Sequence, residues 1–155
     1  MLPQDIQKTN SLAKECKIHK LVADVLVLGE GKVLLVRYSD VRKYDGQQGW
    51  FLPDDHLIFS EHPLDAARRL LREQLALTPN QIALSQIESL GGEDGGAWHL
   101  IFHHKVDLNK IPSLTLSTNI KSAEWFGLDN LPERQSVAHE GWAIDVIETT
   151  LHSLE

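Results

Sequence analysis

The stretch LPDDHLIFSEHPLDAARRLLREQLAL, Leu52 to Leu77, decides how the rest of the chain is read. Its second half predicts a helix. Pro63 suits a first helical position, where its missing N–H would have had no partner anyway. Asp65 falls in the first turn, where negative charge favours the helix dipole. Leu64, Ala67, Leu71 and Leu75 recur at helical spacing and predict a buried stripe. Thr78-Pro79-Asn80 is the expected stop. The first half predicts extended chain: Trp50-Phe51-Leu52-Pro53 enters a short strand, and His56-Leu57-Ile58-Phe59 continues it.

Working outward, LVADVLVLGEGKVLLVRYS reads as two strands turned at Gly29-Glu30-Gly31. Ser39 to Gly49 is a polar loop. On the other side, QIALSQIESL and AWHLIFHHKVDL read as strands around the turn-rich loop Gly91 to Gly96. IKSAEWFGL is a further strand, and Val137 to Leu154 has helical spacing. Residues 1 to 17 read as an N-terminal arm, with a short helix around Ser11 to Lys17, and residues 18 to 155 as one domain. Strands, helix, strands, helix implies an α/β (α+β) sandwich with a mixed sheet between helices.

Composition bounds the function. The chain has 155 residues, 42% hydrophobic and 24% charged, enough for one self-sufficient core. Its formal net charge of -7 argues against general nucleic-acid binding, which needs a cationic excess to release counterions. One cysteine, Cys16, permits no intrachain disulfide. No signal peptide and no membrane-length apolar run is visible, so a cytoplasmic protein without membrane attachment is expected.

Leu52 to Leu77 resembles the signature segment of the Nudix hydrolase family. That pattern runs Gly, five residues, Glu, seven residues, Arg-Glu, apolar, any, Glu-Glu, any, Gly, apolar. Aligned on it, Glu61 takes the first Glu position and Arg69 follows after seven residues. Glu73 matches the first of the Glu pair, and Leu77 the final apolar position. Trp50-Phe51-Leu52-Pro53 and AEWFGLDNLPE resemble flanking family motifs, so the resemblance covers about Leu21 to Glu133. It implies an α/β/α Nudix-like sandwich. It also implies magnesium or manganese held by clustered carboxylates, acting on a nucleoside diphosphate derivative.

Several positions depart from that pattern. Asp54-Asp55 replace the usual Gly-Gly, and Ser60 and Ala76 replace two later glycines. Leu70 replaces the Glu of Arg-Glu, and Gln74 the second of the Glu pair. One carboxylate, Glu73, then remains on a helix face that the family lines with three. The candidate catalytic residues are Glu73, Glu61 and Arg69, and the candidate metal ligands are Glu73, Asp54 and Asp55. Each has a plainer role available: a surface ion pair for Arg69 and Glu73, dipole compensation for Glu61, an acidic turn for the two aspartates.

Arg37 and Trp50 are candidate substrate contacts, with Arg42, Lys43, Tyr44, Trp98 and Phe102 also near the expected cleft. Trp125 and Trp142 read as core. Strand alternation puts His99 and His103 on one face and His104 on the other. No tight zinc motif is present. Glu93-Asp94 could reach over the cleft.

Three readings stay open. The first is a Nudix-fold protein with little or no hydrolysis, binding a nucleotide-like or diphosphate ligand, with no cofactor needed. The second is an active metal-dependent hydrolase with ligands shifted to Asp54, Asp55, Glu61, Glu73 and Glu93. The third is a non-catalytic interaction module, for a partner or a homodimer.

Overall fold

The computed structural model describes residues 19–91 and 97–152. The strands are β1 (His19–Gly29), β2 (Lys32–Tyr38), β3 (Asp54–His56), β4 (Ala83–Leu90), β5 (Trp98–Leu108) and β6 (Ile120–Gly127). The helices are α1 (Pro63–Leu75) and α2 (Ala138–His152). The mixed sheet runs β4-β5-β1-β2-β6, with β3 on β1. β1 and β5 are parallel, and the other pairs are antiparallel. The expected N-terminal arm, Cys16, and Glu93-Asp94 lie outside the described residues.

Alternation along β1 builds a core on each face of the sheet. Val25 and Val27 pack with Leu70, Leu71 and Leu75 of α1. Leu26 and Leu28 pack with Ala143, Ile144 and Ile147 of α2. The result is the expected three-layer sandwich. Among the described residues, no helix is long and apolar enough to cross a membrane.

β1 and β2 are joined by the Glu30-Gly31 turn, both residues at positive φ. They pair at Leu28–Val33 and Gly29–Lys32 and then separate. The segment from Trp50 to His56 fills the gap. Phe51 exchanges backbone hydrogen bonds with Val36 on one side, and Val25 N–H donates to Pro53 O on the other. Gly49 starts this segment at φ 107°, with Ser136 O only 2.5 Å from where a Cβ would sit. A side chain there would collide with the backbone leading into α2.

Two sequence expectations shift. The strand in this segment is Asp54–His56, while His56 to Phe59 does not continue it: Phe59-Ser60 form a turn, with Ser60 at φ 67°. β3 registers with Val22 to Asp24 of β1, and Leu57 N–H still reaches Leu21 O at 2.9 Å before the chain turns away. Helix α1 also ends before Thr78-Pro79-Asn80. Ala76 adopts φ 56°, and Leu77 N–H donates to Leu71 O, closing the helix one turn earlier.

Candidate functional site

Ser60 and Ala76 both sit in left-handed backbone. These are two positions where the family pattern has glycine, so the glycine geometry persists at a cost of roughly 1 kcal/mol or more per residue. The spacing between turn and helix is therefore kept. What the helix presents is different. Leu70 is fully buried in the core under α1. Gln74 is also buried. Its Nε2 donates to Asp54 O at 2.8 Å, and its Oε1 accepts from Tyr38 Oη at 2.9 Å. Tyr38 Oη in turn accepts from Asp54 N–H at 2.9 Å. A carboxylate at position 74 could not make the first of these bonds, because it has no donor. The amide here is a staple between helix and β3. Glu73 points outward, its side chain 55% exposed.

Arg69 collects the acidic groups. Nε donates to Glu61 Oε2 at 2.9 Å, and Nη2 to Glu61 Oε1 at 3.1 Å and His56 O at 2.9 Å. Nη1 donates to Asp55 Oδ2 at 2.9 Å and, more weakly, to Glu73 Oε2 at 3.4 Å. A guanidinium has five N–H donors, and these contacts use them all. Asp55 also pairs with Lys43 and accepts from His56 N–H. Burial pushes the Asp55 carboxyl up, but Lys43 and Arg69 together hold it below its ordinary value. Arg69 likewise holds Glu61 low.

Asp54 faces the other way. Strand pairing sets Asp54 beside Asp24 and Asp55 beside Ala23, so the two aspartates point to opposite sides of β3. Asp54 lines a cleft of about 190 Å³ with Lys43, Tyr44, Phe51, His99 and Trp142. Burial, then the carboxylates of Asp24, Asp55 and Asp45, raise its pKa well above the usual carboxylate value. Neither aspartate is a solvated turn residue, because β3 carries both into the structure. At the cleft's edge, Asp45 binds Lys20 Nζ at 2.7 Å and lies 3.6 Å from His99 Nε2 and 3.5 Å from His139 Nε2.

Behind the cleft is a second network. His103 Nδ1 is 2.8 Å from both oxygens of Asp24, and Nε2 is 2.8 Å from Glu88. Burial raises the Asp24 carboxyl and the His103 hydrogen bond pulls it back down; with Asp24 and Glu88 ionised, both ring nitrogens donate and the ring is an imidazolium. Burial opposes that charge, but Asp24 and Glu88 outweigh it and raise the His103 pKa. Trp142 Nε1 donates to the same Glu88 oxygen at 3.3 Å, tying α2 to β4.

The sequence-picked residues therefore divide. Arg69, Glu61, Asp55 and Glu73 come together, as an arginine-centred cluster. Asp54 belongs to the cleft. Lys43 and Tyr44 line it, but the Tyr44 ring stacks on Tyr38 at 3.8 Å. Arg37 and Trp50 stack on each other at 4.2 Å, with Trp50 buried in the α2-side core. Arg42 is held by Asp40. Trp142, read as core, also lines the cleft. His104 faces away from His99 and His103, as alternation required. Asp24, Glu88, Asp45 and His139 were not singled out. Asp24 did carry a signal, as a lone charge inside the apolar run Val22 to Leu28.

These donors do not fit a magnesium or manganese ion. Leu70 offers no donor, both ends of the Gln74 amide are used, and Asp55 and Glu61 are already neutralised by Arg69 and Lys43. Among the described residues, no group of three or more His, Cys, Asp or Glu side chains could hold a metal ion.

The NUDIX domain family model matches residues 18–146. No curated protein matches the chain. Among solved structures, the NUDIX domain of Shewanella oneidensis NrtR complexed with ADP ribose is similar, with TM-score 0.73 and 18% identity over 99% of this chain and 100% of that one. A NUDIX hydrolase from Nitrosomonas europaea has TM-score 0.68 and 20% identity, over 87% of this chain and 89% of that one. A C. elegans Ap4A hydrolase binary complex has TM-score 0.64 and 19% identity, over 86% of this chain and 98% of that one. At these identities the likeness establishes a shared fold.

Proposed function

The chain belongs to the Nudix family, and we propose that it is a member with weak or no pyrophosphohydrolase activity whose cleft binds a nucleotide-like ligand carrying a diphosphate. One observation carries this reading. The helix face that would gather carboxylates around a metal instead offers buried Leu70, stapled Gln74 and outward Glu73. Magnesium dehydrates reluctantly and needs carboxylates or phosphates in place, so the reaction loses its usual activator here.

The ligand class is supported by the cleft and by a neighbour. Phe51, Tyr44 and Trp142 give it aromatic walls, and Asp54, His56 and Lys43 give it polar groups. Its volume of about 190 Å³ is below the roughly 300–1,000 Å³ of pockets that enclose a whole drug-sized ligand. It suits one ring of a dinucleotide-like molecule, with the remainder lying along the surface. The similar NrtR domain was crystallised with ADP ribose, a ligand of this kind.

The test is a panel of nucleoside diphosphate derivatives, including ADP-ribose and Ap4A, with magnesium and with manganese. Turnover is expected to stay at the protein-free background while at least one compound binds by calorimetry. Metal-dependent turnover that Glu73→Gln abolishes would overturn this reading in favour of an enzyme with shifted ligands. Failure of every compound to bind would favour a scaffold that serves a protein partner.

A further inference from the structure

Lys43 differs from the other cations around the site. Arg69 spends all five donors on Glu61, Asp55, Glu73 and His56 O. Lys20 is drawn to Asp45 at the cleft's edge, and Arg37 lies over Trp50, outside the cleft's lining. Lys43 meets one carboxylate, Asp55, while its side chain stays 49% exposed and lines the cleft. An ammonium has three donors, so two remain for something in the cleft.

Its position is also fixed in advance. Arg42–Tyr44 is a 3-10 turn closed by Tyr44 N–H to Val41 O at 2.9 Å and Gly46 N–H to Val41 O at 2.8 Å. The Tyr44 ring is pinned against Tyr38 and Phe51. Asp55, held between Arg69 and Lys43, restrains the ammonium from the other end. A cation ordered before binding loses little entropy when an anion arrives.

Resting on the reading above, we propose that Lys43 is a built-in cation which takes the anionic part of a diphosphate ligand, so that binding at this cleft does not depend on a divalent metal. The cleft then offers the ligand aromatic walls for a ring and an ammonium for the phosphate. Asp55 and Arg69 are positioning residues in this arrangement: Asp55 holds Lys43, and Arg69 holds Asp55.

The full-length protein should be titrated calorimetrically with ADP-ribose, in EDTA and in excess magnesium. The affinity is expected to be the same in both. Lys43→Met should weaken it by about ten- to a hundredfold, as expected for losing a charge-assisted hydrogen bond, and Lys43→Arg should retain most of it. Thermal unfolding of Lys43→Met, unchanged apart from the lost surface pair, separates ligand loss from misfolding. Binding that requires magnesium would overturn the inference and leave the proposed function standing. Metal-free binding that Lys43→Met does not weaken would do the same. Absence of ADP-ribose binding in both buffers would overturn the inference, and the proposed function falls with it only if the rest of the panel also fails to bind.

Discussion

Two ionic networks flank β1, one on each side of the sheet, and they solve different problems. On the α1 side, Arg69 gathers Asp55, Glu61 and Glu73 near solvent, with the Arg69 side chain 12% exposed. On the α2 side, the His103 imidazolium bridges Asp24 and Glu88 across β1, β5 and β4, with Asp24 and His103 at 0% and 1% exposure. The first joins a turn to the helix that follows it. The second joins strands 79 residues apart. The first can lose a partner and let water in. In the second, Glu88 reaches water but Asp24 and His103 do not, so those two depend on each other.

That contrast predicts unequal costs. His103→Leu leaves Asp24 as a buried carboxylate with no cation and should cost about 3–5 kcal/mol in urea unfolding. A cost below about 1 kcal/mol would mean that Asp24 is neutral in the folded state. Arg69→Met should cost less, about 1.5–3 kcal/mol, because Asp55 keeps Lys43 and Glu61 can turn to water. Glu73→Gln removes a long, exposed i,i+4 contact and should change stability by less than about 0.5 kcal/mol. A larger effect there would show that Glu73 matters for more than its pair with Arg69.

The two networks should also answer pH in opposite directions. The pKa of His103 is raised on folding, so its contribution is complete below the unfolded value of about 6.5 and is lost as pH rises through the folded one. Asp55 and Glu61 are lowered on folding. Their contribution is present above their ordinary values near 4 and is lost as pH falls through the folded ones. Stability measured against pH should therefore lose its alkaline slope in His103→Leu and its acid slope in Arg69→Met. Both slopes surviving in both variants would break the assignment.

The difference between the networks is also a difference in what can be read from sequence. The Glu61-to-Arg69 interval is local, and a turn followed by a helix brings its ends together whatever the rest does. The helix stripe of Leu64, Ala67, Leu71 and Leu75 was legible for the same reason. His99 and His103 could be put on one face by alternation, but their partners could not be named. Asp24 and Glu88 meet His103 only through the register of β1 and β4 on β5, which depends on long-range pairing. Arg37 and Trp50 also meet only in the folded chain: β2 carries Arg37 onto the Trp50 ring, which a bridge to Val137 seats in the α2-side core.

For Leu52 to Leu77, the residues alone determined three things: the turn-to-helix spacing, the apolar stripe, and a leucine and an amide at positions 70 and 74, where the family pattern has carboxylates. These follow from short-range geometry and from the chemistry each side chain carries. Tertiary structure decided what those side chains do. It turned Gln74 into a staple on β3, sent Asp54 and Asp55 to opposite sides of one strand, and folded Lys43 of the preceding loop onto Asp55. The physical reason is that a side chain's partners depend on which elements pack together, and packing satisfies buried polar groups with whatever donor lies within reach.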